Sequence, residues 1–458
     1  MQELLLHVFH TIEQANIRYC VLRGYEELGE IEDGGDVDLL VQADQIECFR
    51  EALARLEFVM LPVWGHAPHR FFVGYDQSAD RWLKLDVVTV VAFGKPIHAI
   101  QTNLASSCLD RRYRREPTFV PSPEDELLTL LLHCLLDKAA FAPNRRARIQ
   151  ALRHEVADER YLSEQLHAHW SPEMSWQRLA SLIDREAWAE LLAERSAVAA
   201  WLARGQQFSV LGRRLGRRVL RKLDRVAGAL QPRSLTVALL APDGGGKTTL
   251  ATELTRRFFL PSRYIYMGSN IEASTVGLPT TRWIQSHSAR PKQGSRLPVW
   301  ALARGLRFIN NLAEQWYRYG TSYYHMVRGR LILFDRYVYD GQLKGARKRS
   351  LKTRVRRWLL SAAAPKPDLV VFLDAPGEVL YARKGEHSPD LLEQQRQHYL
   401  DLREHIPQMV VVDATRDADQ VRRSVTSLIW RGYARRLRGA SVGRGDLSEI
   451  VHERTGAP

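Results

Sequence analysis

The stretch Ala241–Leu250, APDGGGKTTL, sets three successive glycines directly before a lysine and two threonines. Between a buried strand and a helix, such a loop turns its backbone N–H groups and the helix N-terminus onto phosphate oxygens. LTVALLA supplies the strand before it and TTLATELTRRFF the helix after it, the context this motif requires. Gly244, Gly245 and Gly246 would let the backbone wrap the anion, and Lys247 would reach the β- and γ-phosphates. Thr248 would place its hydroxyl on Mg2+, with Thr249 beside it on the first helical turn. The usual pattern opens on a glycine where this chain has Ala241. Alanine is tolerable there if the position needs no positive φ.

FDRYVYD puts Asp335 and Arg336 at the end of the apolar run RLILF. Ligands sit at the carboxyl ends of strands in an open parallel sheet. An acid and an arginine there would handle a metal and a phosphate together, or form a structural salt bridge. PDLVVFLDAPGEVLYARKGE then reads as strand, turn and helix, followed by Arg383 and Lys384, with Arg396 and Arg403 further along. Phosphoryl transfer works mainly by positioning and charge neutralisation, so cations closing over the phosphates are expected. ATP and Mg2+ are the expected cofactors, and an anionic acceptor the expected partner.

A second set of acids lies in VLRGYEELGEIEDGGDVDLLV. Asp36 and Asp38 alternate along a strand and so share one face. Like charges held that close repel unless a cation such as Mg2+ offsets them. Asp86, in WLKLDVV, is a third acid in an apolar strand, and a shared metal is one candidate partner. A hairpin edge without metal is the other reading. His66, His69 and Arg70 would line such a site or serve the structure, and His133 reads as a core histidine.

The elements that must position these residues imply a multidomain α/β protein. Residues 1–115 alternate strand and helix patterns, residues 116–231 are all-helical, residues 232–430 alternate buried strands with helices, and a basic tail covers 431–458. Buried strands separated by helices predict a parallel sheet with crossover helices. At the end of the helical region Leu211, Leu215, Val219, Leu223, Val226 and Leu230 recur at three- and four-residue steps, and seven arginines and lysines lie between Arg213 and Arg225. This is either a linker helix packing its leucine stripe on a neighbour or a helix for a membrane surface or polyanion. Eight basic residues between Lys344 and Arg357 read as a solvated face or as a surface for a large anionic acceptor.

The chain has 458 residues and a net charge of +14, which favours anionic partners. Nucleic acid is not excluded. Cys20, Cys48, Cys108 and Cys134 lie far apart, which argues against a zinc or disulfide framework and suits a reducing compartment. No apolar run approaches the ~18 residues that span a bilayer. A cytoplasmic location is expected, with peripheral contact at the inner membrane surface left open.

The loop, the D-R-Y strand end and the LD-x-P-x-E…R segment together resemble the thymidylate kinase family of P-loop kinases over roughly residues 234–430. The resemblance implies that Asp243 contacts a sugar hydroxyl of the acceptor. It places Asp335 and Arg336 near the acceptor phosphate and metal, and makes Arg383 a lid cation. Gly244 stands where some members carry a loop arginine, the family's T-R-E-P-G-G is replaced by YMGSNIEAS, and the arginine expected ahead of D-R-Y falls near Glu314, one turn from Arg318. These departures imply an acceptor other than thymidylate. Residues 1–115 resemble the nucleotidyltransferase superfamily, whose acids hold metals for nucleotidyl transfer. Gly24 would anchor the phosphates, with Tyr25 in place of the usual serine. Such fusions resemble proteins associated with bacterial polysaccharide synthesis, which implies a sugar, nucleotide or lipid-linked glycan acceptor and a bifunctional transferase. A fold retained without catalysis remains open for the first domain, and an ATP-driven switch binding nucleic acid or membrane for the whole.

Overall fold

The computed structural model describes residues 3–29, 33, 35–62, 66–95, 98–230, 234–267, 297–335, 337 and 366–437. The chain divides into two compact units, Met1–Val226 and Ala227–Pro458.

In the first unit, α1 (Glu3–Gln14) and α2 (Ile46–Arg55) cover a five-stranded sheet. Its strands are β1 (Tyr19–Arg23), β2 (Asp36–Val41), β3 (Val59–Met60), β4 (Arg70–Asp76) and β5 (Arg81–Val88), in the order β1-β2-β5-β4-β3. Only the β2–β5 pair is parallel. Alternate side chains of a strand leave on opposite faces. One face buries Val21, Leu39, Leu85 and Val87 against Leu5, Phe9, Phe49 and Leu53 from the two helices.

The other face, with Cys20, Leu22, Leu40 and Val88, belongs to one continuous core with the leucine run and the helices beyond it. The break expected at residues 115/116 therefore does not separate two cores. After the short strands β6 (Ala92–Phe93) and β7 (Ile100–Gln101) come α3 (Leu104–Asp110), β8 (Tyr113–Arg115), β9 (Thr118–Val120) and α4 (Pro123–Leu132). Ser122 caps α4, its hydroxyl accepting from the Asp125 N–H. The helix then widens into a π-turn over His133–Lys138 and stops at Ala139, whose φ is +53°. Helices α5 (Pro143–Glu155), α6 (Glu159–His169), α7 (Trp176–Asp184), α8 (Trp188–Ala193), α9 (Arg195–Leu202) and α10 (Gln207–Leu230) follow.

The second unit is a parallel sheet. Strands β10 (Thr236–Leu240), β11 (Ser262–Tyr266), β12 (Leu331–Asp335), β13 (Leu369–Asp374) and β14 (Met409–Asp413) run in the order β11-β12-β10-β13-β14. Every pairing is parallel. Its helices among the described residues are α11 (Lys247–Arg257), α12 (Leu297–Val327), α13 (Gly377–Lys384), α14 (Pro389–Leu402) and α15 (Ala418–Leu437). The strands TVALL and LILFD are buried along their whole length, as expected when helices cover both faces. The connection leaving β10 leads to β11 on one side, and the one leaving β12 leads to β13 on the other. The carboxyl ends of these adjacent strands thus form the switch point where such sheets bind ligands.

Candidate active site

Each glycine of the loop after β10 has its own reason. Gly244 has φ +87°, and a Cβ there would lie 2.4 Å from the Leu380 carbonyl oxygen of α13. Gly246 has φ +79° and caps α11. Gly245 is required by space, since its Cβ would meet the Ala241 Cβ at 2.5 Å. Ala241 is buried at the end of β10 and is not among the described residues with positive φ. The Lys247 ammonium is buried and donates to the carbonyl oxygens of Ala241 (2.6 Å) and Pro242 (2.9 Å).

Asp335 closes β12, in register with Leu239 of β10 and Tyr266 of β11. Its Oδ2 accepts from the Thr248 hydroxyl at 3.3 Å and from the Tyr264 hydroxyl at 2.6 Å. Burial, then the Asp335 carboxylate, pushes the Tyr264 phenol above its ordinary pKa. Asp335 Oδ1 is buried with no hydrogen-bond partner. An orphaned carboxylate oxygen beside a threonine hydroxyl fits a hard cation such as Mg2+. Arg336 lies outside the described residues, as do residues 344–357 and the segment that follows Met267.

Beside the glycines a cavity of about 300 Å³ is lined by Thr249, Arg383, Ala414, Arg416 and Arg422, among others. Arg383 reaches it from α13 and donates to the Ala414 carbonyl at 2.8 Å. Of these residues only Arg383 and Thr249 were expected from the sequence. The signal for the rest was the position of Ala414–Arg416, just past the carboxyl end of β14. His387, in the turn between α13 and α14, has φ +65° and faces Asp243 at 3.6 Å. Arg396 is not the mobile cation the sequence suggested. It is bidentate to Asp374 at 2.6 and 3.0 Å and also holds Glu393, so it seats α14 on the end of β13. Arg318 forms a buried pair with Glu314 at 3.0 Å and donates to the Tyr266 carbonyl.

The thymidylate kinase family model matches residues 309–425. The thymidylate kinase of Xanthomonas oryzae pv. oryzae (strain PXO99A) is 27% identical over 231 residues, covering 48% of this chain and 94% of its own. That of Symbiobacterium thermophilum is 31% identical over 131 residues, covering 26% of this chain and 60% of its own. The solved thymidylate kinase of Candida albicans matches 44% of this chain and 94% of its own, at 21% identity and a TM-score of 0.33. The C-terminal unit is thymidylate-kinase-like.

In the N-terminal unit the acids are arranged differently from expectation. Register places Asp38 beside Asp86 and Asp36 beside Lys84. A bulge between Val21 and Arg23 sets Arg23 opposite Asp38. Lys84 pairs with Asp36 at 2.9 Å, Arg23 with Asp38 at 3.0 Å, and the His69 ring with Asp86 at 2.8 Å. Burial opposes ionisation of Asp38, but Arg23, then His133 and His69, hold its carboxyl below the usual range. Each of Asp36, Asp38 and Asp86 thus faces one basic side chain of the protein, where a shared metal was the expectation. Among the described residues no three His, Cys, Asp or Glu side chains are gathered to hold a metal.

Gly24 has φ +71°, and a Cβ there would have only Glu27 nearby at 3.8 Å, so conformation alone calls for glycine. His66 packs edge-on to Phe71, and Arg70 donates to Thr89. His133 is buried in the π-turn, with Nδ1 2.9 Å from Asp137. Burial, then Arg23, lowers its pKa to about 4, so it stays neutral.

Proposed function

We propose that the thymidylate-kinase-like unit transfers the γ-phosphoryl group of ATP to an acceptor other than thymidylate. The observation that carries this reading is the meeting of Thr248 and Tyr264 on one oxygen of Asp335 while the other stays orphaned beside the glycine loop. Thr248 and Asp335 would hold Mg2+, which when bound would offset phosphate charge. The loop N–H groups and the α11 N-terminus hold the phosphates, Lys247 leaves the loop carbonyls to meet them, and Arg383 adds charge from the lid. An acceptor oxygen takes the phosphoryl group, ADP leaves, and the acceptor proton passes to solvent. Arg318, committed to Glu314 and Tyr266, supports a different acceptor, as does the absence of a side chain at Gly244. Asp243 and His387 form the acceptor side in this reading.

The test is product mass analysis with ATP and a panel of nucleoside monophosphates, sugars, sugar phosphates and lipid-linked glycans. A phosphorylated product whose formation falls at least about a hundredfold in Lys247→Ala supports it. Tight ATP binding with no phosphorylated acceptor, or turnover of thymidylate above every other acceptor, sinks it. For the N-terminal unit we infer substrate recognition rather than nucleotidyl transfer, because each of its acids already contacts a basic side chain. Nucleotidylated product made by the wild type and lost in Asp36→Asn with Asp38→Asn would reverse that assignment.

A further inference from the structure

Helix α10 turns its apolar stripe to solvent. Phe208 is 93% exposed, Leu211 56%, Leu215 54%, Val219 54% and Leu223 47%. At 3.6 residues per turn these five fall on one face. Packing of the stripe on a neighbour, one of the two readings of the sequence, is not what the structure shows. The inward face is built from Val210 and two arginines. Arg213 donates to the Ala99 carbonyl at 2.7 Å, and buried Arg217 donates to the His98 carbonyl at 2.6 Å. Arg214, Arg218 and Lys222 are exposed along one flank of the stripe. Asp224, the one acid in the helix sequence, falls by the same periodicity on the inward side. The side chains of Val226 and Leu230 lie outside the described residues.

We propose that α10 docks this unit on an anionic lipid bilayer. Phe208, Leu211, Leu215, Val219 and Leu223 enter the boundary between headgroups and acyl chains, while Arg214, Arg218 and Lys222 reach the lipid phosphates. Charge selects this occupant. A second copy packed on the same face through its own α10 would offer Arg214, Arg218 and Lys222 no acid to pair with, because the one acid of the helix lies inward. Nucleic acid would meet the cations but leave five apolar side chains in water. No helix among the described residues is long and apolar enough to cross a membrane, so α10 lies in the plane of the surface.

Co-sedimentation of the full chain with phosphatidylcholine vesicles, with and without roughly one quarter phosphatidylglycerol, tests this. Sedimentation with the anionic vesicles and not the neutral ones is expected. Leu215→Ser with Val219→Ser should cut the bound fraction at least about tenfold, and Arg214→Gln with Arg218→Gln should weaken it as well. All four side chains are exposed, so both variants should keep the wild-type melting curve. No binding to anionic vesicles overturns the proposal, as does binding that the Leu215/Val219 variant retains in full. A dimer dissolved by that variant would assign the stripe to a second copy, and duplex DNA binding stronger than vesicle binding would assign the helix to nucleic acid.

Discussion

Ala241 and Gly245 occupy one shared volume. The methyl that Ala241 adds to the loop takes the space a Gly245 Cβ would need. Gly245→Ala should therefore destabilise the unit by about 1–3 kcal/mol through overpacking. Adding Ala241→Gly should return part of that loss, but not all, because the Pro242 carbonyl also stands 3.2 Å from the new Cβ. A thermal double-mutant cycle reads this coupling, and strictly additive losses would contradict it. Tyr264→Phe removes a hydrogen bond to a charged carboxylate, worth about 1.5–3 kcal/mol. It should raise the Mg2+ concentration needed for half-maximal nucleotide binding, and an unchanged Mg2+ titration would deny Tyr264 that role. The alanine was legible in the sequence because a motif exposes its own exceptions. Tyr264 was not, because its place depends on the register of β11 against β12, which no local pattern carries.

Strands were the most legible elements, since a buried parallel strand writes itself as an apolar run. Helix faces were less so. Alternating leucines and arginines announce α10, but which face turns inward depends on the carbonyls of His98 and Ala99, more than a hundred residues earlier. Arg396 likewise looked mobile until α14 brought it to Asp374. The π-turn after α4 had no sequence signal beyond the leucine run, and it carries a pH dependence. His133 faces Asp137, Arg23 and Asp38, and its pKa falls from 6.5 to about 4 on folding. The unfolded chain therefore takes up this proton first. The stabilisation is present above the unfolded value and is lost as pH falls toward 4, by on the order of 3 kcal/mol. Melting at about pH 7.5 and about pH 4.5 should show a larger drop for the wild type than for His133→Gln, and equal drops would rule this histidine out.

For the molecule as a whole, one core runs across the change in pattern near residue 115. The change in pattern near residue 115 is real. Burial ignores it, because Leu40 and Val88 need the helices that carry Leu127–Leu136 to cover them. The second unit closes a separate core around Ala238, Phe334 and Phe372. Since a ligand stabilises what it binds, saturating Mg2+·ATP at about 100 times its Kd should add about 2.7 kcal/mol to that unit. Hydrogen exchange should slow in residues 227–437 and stay unchanged in residues 3–226, and protection spread evenly over both would show the units to be coupled.

One contact also limits how this site could have been built otherwise. The phosphate loop at Gly244 runs so close under Leu380 that any side chain there would have to displace the helix carrying Arg383. A cation delivered from the loop and a cation delivered from α13 are, in this chain, alternatives competing for the same space. Installing an arginine at position 244 would therefore be expected to evict Arg383 rather than to join it.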